Sequence, residues 1–406
     1  MARVVQKFGG TSVADPDRMR AVADHVARCR RRGDHVTMVV SAMGKETDEL
    51  LVLADRVSTN QPSREMDMLI TAGERKAIAL MCMALADIGV PARSFTGSQA
   101  GFLTDTNHRN AKILEIRPDR INETLDAGIV PVVAGSQGVS TDRDVTFLGR
   151  GGSDTTAVAL TKALGADTCE LYTDVSGVFS ADPRIVPAAS KMGTITFDEL
   201  LEMTATGCPK PAMRSVEVAH SQGVPLHVRS AFTWEPGTLV VEQDTTMEQP
   251  IIRAVTHDTS ESKITVSDVN DKPGISATLF RALADAGVNV DMIVQNVSAH
   301  GRTDISFTVP SENVEQAQSI LSNGVATTLG AKEITANSSI GKVSVVGAGM
   351  KSNPGVAATM FETLAGQGIN IQMISTSAIR ISCVIAEESV DQAVQALHTA
   401  FGLDVN

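Results

Sequence analysis

Phe147-Leu148-Gly149-Arg150-Gly151-Gly152-Ser153-Asp154-Thr155-Thr156 is the stretch on which the reading of this chain turns. An apolar run leads into it, and Ala157-Val158-Ala159-Leu160, which reads as helix, follows. A glycine-rich turn between a strand and a helix start leaves backbone N–H groups open to an anion. This turn also carries a cation, Arg150, and an anion, Asp154, four residues apart. The cation suits a carboxylate; the anion suits a metal or the orientation of a phosphate.

Outward from that turn, short apolar strands end in small residues. Ala2-Arg3-Val4-Val5-Gln6-Lys7-Phe8 breaks into Gly9-Gly10-Thr11-Ser12, and Asp15-Pro16 opens a helix. Val36 to Val40 exits through Ser41-Ala42-Met43-Gly44, and Val130 to Ala134 exits through Gly135. Thr71-Ala72-Gly73-Glu74-Arg75 precedes a helical run from Lys76 to Leu85. Thr168 to Val175 and Pro225 to Ser230 read as further strands. Strands alternating with amphipathic helices imply an α/β fold with a mostly parallel open sheet flanked by helices. Ligands bind such sheets beyond the carboxyl ends of the strands. The motifs fall there, after Gln6, Val40, Ala134 and Leu171.

The 406 residues suffice for two or more domains. A net charge of −12 argues against a nucleic-acid partner, which needs a basic face. The basic run Arg28 to Arg32 before Gly33 reads as a helix C-terminal cap. An aromatic content of 3% disfavours a stacking-based RNA or sugar binder. Cys29, Cys82, Cys169, Cys208 and Cys383 form no CxxC pair, so neither a zinc site nor a disulfide framework is expected. No signal sequence and no membrane-length apolar run are found, and the reading is cytoplasmic.

Beyond a short polar stretch, Gln243 to Gln249, the chain repeats itself. Asp271-Lys272-Pro273-Gly274 matches Ser352-Asn353-Pro354-Gly355, and Ala282 to Ile293 matches Thr363 to Ile374, 81 residues on. Each copy reads strand, Pro-Gly turn, helix, Gly-x-Asn turn, strand. Two ferredoxin-like βαββαβ units packed side by side fit that pattern. Their Pro-Gly and Gly-x-Asn turns could clasp the carboxylate and amine of a small ligand, or the repeat could serve only structure or dimerisation.

Lys7 followed by Gly9-Gly10 suggests a phosphate cradle, although neither GxxxxGK[ST] nor GxGxxG is present. Glu74 and Arg150 suit the ammonium and carboxylate of a zwitterion, or a structural salt bridge. Thr173-Asp174 and the loop Phe179 to Arg184 read as pocket-lining, with Asp182-Pro183 also ordinary turn chemistry.

Five motifs together carry a resemblance: Lys7-Phe-Gly-Gly-Thr-Ser, Ser41-Ala-Met-Gly, Thr71-Ala-Gly-Glu-Arg, Gly149-Arg-Gly-Gly-Ser-Asp-Thr-Thr and Thr173-Asp-Val-Ser-Gly-Val-Phe-Ser-Ala-Asp-Pro-Arg. In this order they closely resemble the aspartate kinases of the amino acid kinase family, and the repeat resembles their paired regulatory ACT domains. The resemblance implies phosphorylation of the β-carboxylate of L-aspartate by ATP with Mg2+. It implies a catalytic domain over 1–243, a linker over 244–259, and ACT domains over 260–335 and 336–406. By matching position, Lys7, Gly9 and Gly10 face the ATP phosphates, and Thr173, Asp174, Phe179, Asp182, Arg184 and Lys210 line the nucleotide pocket. Ser41, Thr47, Glu74 and Arg150 hold aspartate, and Lys7, Arg150 and Asp154 form the catalytic centre. No protein metal ligand is assigned. Effector contacts are expected at Asp271, Pro273, Gly274, Asn289, Asp291, Gln295, Asn353, Pro354, Gly355, Asn370, Gln372 and Ser377, for lysine and/or threonine. A homo-oligomer through the ACT domains is expected. An α2β2 assembly, with the regulatory part made from an internal start at Met247, stays open.

The chain departs from the family pattern at three places. The family's Gly-x-Lys becomes Gly207-Cys208-Pro209-Lys210, so Pro209 takes the lysine's position and Lys210 follows one residue late. Lys45 stands where relatives tend to carry Asp. Gln372 and Asn353 stand where relatives often have Glu and His, which suggests altered feedback. Alternatives are a paralogous kinase acting on a modified aspartate or another amino acid, and a non-catalytic ACT amino-acid sensor.

Overall fold

A computed structural model describes residues 2–243, 252–296, 301–350 and 353–404. Met247 and Ser352, used in the sequence reading, lie outside the described residues. The chain divides into two units. The first takes the residues through Val178, then Lys191–Thr204 and the stretch from Pro209 to the linker; the second takes Phe179–Ser190, Ala205–Cys208 and the remainder.

The first unit is built on an eight-stranded sheet. Its order is Thr194–Thr196, Thr238–Val241, Leu226–Ser230, Thr168–Thr173, Arg3–Phe8, His35–Val40, Val130–Ala134, Ala92–Phe95. Only the Leu226–Ser230 and Thr238–Val241 pair is antiparallel, as the alternation of strands and helices implies. The central strands are buried almost throughout because helices cover both faces; Val36, Met38 and Val40 pack with Val22, Val26, Ile78 and Met81. The helix Pro16–Arg31 starts as expected: Pro16 is its first residue and the Asp15 side chain accepts from the Arg18 N–H at 2.9 Å. A smaller four-stranded sheet, Ile113–Ile116, Phe102–Thr104, Gln137–Ser140 and Val145–Phe147, leads into the glycine turn.

The second unit holds two antiparallel four-stranded sheets. The first repeat is a contiguous βαββαβ unit from Glu261 to Asn337, with strands ordered Ile293–Gln295, Arg302–Pro310, Glu261–Asn270, Glu333–Asn337. The second repeat supplies only three strands of its own; its fourth, Ala254–Asp258, comes from ahead of the first repeat and pairs with Ile340–Val346. The linker reading of 244–259 is corrected at those five residues. Apolar alternation in so short a run is a weak local signal, and the strand is fixed by its partner's unpaired edge. Gly274 and Gly355 cap the two equivalent helices Ile275–Asp285 and Val356–Gly366, at φ of 96° and 115°, a backbone that favours glycine. No helix among the described residues is long and apolar enough to cross a membrane.

Candidate active site

The carboxyl ends of three adjacent central strands, Arg3–Phe8, His35–Val40 and Val130–Ala134, open onto one cavity of about 490 Å³. Lys7, Gly9, Gly10 and Ser41 line it, with Arg150 to Asp154 from the glycine turn and Pro209, Lys210 and Ala212 to Arg214 opposite. Lys7, the penultimate residue of its strand, holds its ammonium 2.6 Å from Asp154 Oδ1, both side chains buried. Asp154 lies in the first turn of the helix Gly152–Leu164 and accepts from the Ala212 N–H at 3.1 Å. Burial alone would push its carboxyl up; the Lys7 ammonium and that N–H, with Lys210, hold it below the usual carboxylate range.

Glycine is required at two points. A Cβ on Gly10 would meet the carbonyl oxygens of Ala42 and Gly44 at 2.9 and 3.0 Å, so only glycine lets the first turn nest against the Ser41–Gly44 loop. Gly151 holds φ at 69°, and a Cβ there would lie 2.3 Å from that of Ala212. The helix of Asp154 therefore begins inside the cavity, with its N-terminal N–H groups and positive dipole end toward any anion there. Arg150 is exposed at the rim and has no hydrogen bond or ion pair among the described residues.

Glu74 is buried behind this surface rather than lining it. Burial is the largest effect on its carboxyl and pushes it up to about 7, against hydrogen bonds from its own N–H and that of Ala42. Its Oε2 is buried without a partner. Glu46, whose carboxylate pairs with Lys76 at 2.5 Å, adds to the rise.

The structure leaves some expected residues outside the cavity wall. Thr47 lies in the helix Glu46–Val57 and does not line the cavity. Thr173 ends its strand and accepts from the Val175 N–H at 3.0 Å, and Asp174 is exposed; neither lines it. Phe179, Asp182 and Arg184 fall in the second unit, where Arg184 Nη2 binds Asp182 at 2.6 Å. Lys210 lines the cavity together with Pro209, so the one-residue displacement keeps a cation there. Ser136 and Ser153, whose hydroxyls are 3.0 Å apart, also line it and were missed by the sequence reading. The signal for Ser136 was its place after Gly135 at a strand exit; Ser153 lay inside the quoted turn without a role. Arg214, used in the sequence only to set register, lines the cavity and braces its floor, donating to the carbonyls of Leu148 and Ala111.

In the second unit the turn residues expected to hold an effector are partly occupied by the chain itself. Lys342, 1% exposed, sets its ammonium 2.6 Å from Asp291 and 3.1 Å from Glu261. Lys263 donates to Gln372 Oε1 at 2.9 Å. Gln295 accepts from Ser276 at 2.8 Å, and Asn353 donates to the Gly349 carbonyl at 2.8 Å. Asp271, Asn289, Asn370 and Ser377 are exposed.

The comparisons agree on both halves. The model of the amino acid kinase family matches residues 2–230, and the ACT domain model matches 263–324 and 343–401. The aspartokinase of Mycolicibacterium smegmatis is 53% identical over 408 residues, covering 99% of this chain and 97% of its own length. Two crystal structures of Escherichia coli aspartokinase III, each 25% identical and covering 98% of this chain and 99% of their own, are similar in fold. The complex with aspartate and ADP, an R state, has a TM-score of 0.84. The complex with lysine and aspartate, a T state, has a TM-score of 0.74.

Proposed function

The chain belongs to the amino acid kinase family, in its aspartate kinase branch with ACT domains, and from that premise we propose how its residues divide the work. The γ-phosphoryl of ATP goes to the β-carboxylate of L-aspartate, giving 4-phospho-L-aspartate. The observation that carries the reading is the cavity that unites Lys7, Gly9, Gly10, Ser41, Arg150, Asp154 and a helix N-terminus at adjacent strand ends.

No strong base is needed. An aspartate side chain, pKa about 3.9, is already ionised at neutral pH. Catalysis then consists of alignment and of neutralising charge on the transferring group. Lys7 and the amides of Gly9 and Gly10 take the phosphates, with Asp154 fixing the Lys7 ammonium. Arg150, exposed at the rim without a partner among the described residues, clamps the α-carboxylate as a fork. Glu74, set behind the cavity wall, is assigned to the α-ammonium by resemblance, and its buried Oε2 has no other partner among the described residues. Ser41, in the cavity wall, completes the aspartate contacts, and Thr47 is assigned to them by resemblance alone. Lys210 stands in for the displaced nucleotide lysine, and Thr173, Asp174, Phe179, Asp182 and Arg184 are assigned to the nucleotide by resemblance alone. Among the described residues the only carboxylate lining the cavity is Asp154, already bound by Lys7, so Mg2+ would be held chiefly by the nucleotide phosphates, where it would neutralise charge.

The ACT unit confers feedback by lysine and/or threonine. The lysine complex of the Escherichia coli relative supports this. Asp291 and Gln372, already engaged by Lys342 and Lys263, favour altered feedback. A homo-oligomer forms through the outer strands of the two repeats, whose Ile293 and Ile374 are 52% and 44% exposed.

The test is ATP-dependent acyl-phosphate formation, trapped with hydroxylamine, with L-aspartate and then with lysine and threonine added. Product from aspartate is the expected result. No product from aspartate, but product from another amino acid, would replace the substrate, and no turnover at all would leave the sensor reading.

A further inference from the structure

Asp67 sits in the last turn of the helix Ser63–Ile70, fully buried, and the mechanism above gives it no task. Its carboxylate gathers donors from two distant segments. Oδ2 accepts from His108 Nδ1 at 2.7 Å and from the Phe147 N–H at 3.0 Å, and Oδ1 accepts from the Arg109 N–H at 2.9 Å. Two backbone N–H groups and the imidazole Nδ1 thus converge on one buried carboxylate.

Both segments support the turn that carries Arg150. Phe147 is three residues ahead of it, and its carbonyl accepts from the Ala111 N–H at 3.0 Å. The Arg109 carbonyl oxygen and Asn110 Oδ1 close on Gly149, at 3.2 and 3.0 Å from where a Cβ would stand. Arg214 ties the carbonyls of Leu148 and Ala111 together. Residues 108–111 and 147–149 therefore form one cross-braced block, held at its inner end by Asp67. Arg109 keeps φ at 69° within that block, a left-handed backbone held by its N–H bond to Asp67. Arg150 has no side-chain partner among the described residues, so its aim is set by the backbone beneath it.

We propose that Asp67, acting with His108, is a positioning residue that aims Arg150 at the substrate's α-carboxylate. The inference rests on the reading of Arg150 as that clamp. Replacing one Asp67 oxygen by an amide nitrogen would set a donor against N–H donors and release the block.

The experiment measures kcat, the KM for L-aspartate, the KM for ATP and the melting temperature of the full chain. The variants are Asp67→Asn, His108→Ala, His108→Asn, Arg150→Ala and Asp67→Asn with Arg150→Ala. Asp67→Asn and His108→Ala should raise the KM for aspartate roughly tenfold and leave that for ATP unchanged. His108→Asn, whose Nδ2 takes the place of the imidazole Nδ1, should restore the parent value. Adding Asp67→Asn to Arg150→Ala should raise the aspartate KM no further, because the two act through one interaction. Additive effects, an unchanged aspartate KM, or equal losses in both KM values would overturn the proposal. An unchanged aspartate KM in Arg150→Ala alone would instead overturn the reading of Arg150, and this inference with it. If Asp67→Asn does not fold, the His108 pair decides by the same criteria.

Discussion

Glu74 shows how one side chain can carry a pH signature. Its carboxyl is raised to about 7 by burial, whereas an α-ammonium is bound by the ionised form. On the proposed role of Glu74, substrate binding competes with a proton. The KM for L-aspartate should fall about tenfold from pH 6 to pH 8, and Glu74→Gln should have a high KM without that slope. The folded pKa lies above the unfolded one, so the wild type loses stability as pH rises from about 4.5 toward 7. Thermal melts should then show Glu74→Gln gaining on the wild type at pH 8 but not at pH 4.5. Lys210 presents a different single-residue question, because Pro209 beside it removes both a side-chain charge and a backbone donor. Its place in the cavity wall and its pull on Asp154 mark it as the substitute cation. Lys210→Ala should raise the KM for ATP with little change in the KM for aspartate; initial rates at varied ATP would show whether it does.

Between elements, the two repeats are joined by reciprocal lysines. Lys342 reaches Asp291 of the first repeat, and Lys263 of the first reaches Gln372 of the second. Asp291 and Gln372 are themselves 81 residues apart, equivalent positions of the repeat. One strut is thus ionic, a buried ammonium against an exposed carboxylate, and the other is neutral at its acceptor. Removing the Lys342 ammonium would leave the more buried carboxylate, Glu261, without its cation, at a cost of about 2 kcal/mol, while the exposed Asp291 is solvated. Removing that of Lys263 forfeits one hydrogen bond, about 1 kcal/mol. Urea melts of Lys342→Met and Lys263→Met should rank them in that order, and equal losses would contradict the asymmetry.

For the molecule as a whole, the proposed homo-oligomer is open to test at the outer strands of the two repeats. Ile293–Gln295 and Met373–Thr376 are the outer strands of their sheets, and each presents an exposed isoleucine at the same place in the repeat. Charge on such an edge blocks strand addition and apolar contact. Ile293→Asp with Ile374→Asp should therefore yield a smaller species by light scattering, with weakened lysine or threonine inhibition and an unchanged basal kcat. An unchanged mass would place the contact elsewhere.

The sequence by itself determined the parallel sheet, the motifs at its strand ends and the duplicated second half. Each is written in local terms: apolar runs with small exits, glycines where the backbone turns left or closes on a neighbour, and the 81-residue match. Lys7, Ser41, Arg150 and Asp154 could be read because each sits inside such a signal. Only the tertiary structure decided that Ala254–Asp258 completes the second repeat's sheet. It alone grouped Phe179–Ser190 with the second unit, set Glu74 behind the cavity and gave Asp67 its three donors. These outcomes depend on partners 40 to more than 80 residues away. A strand's edge, a carboxylate's burial and a donor's direction are properties of the packed neighbours, and the local pattern of side chains does not carry them.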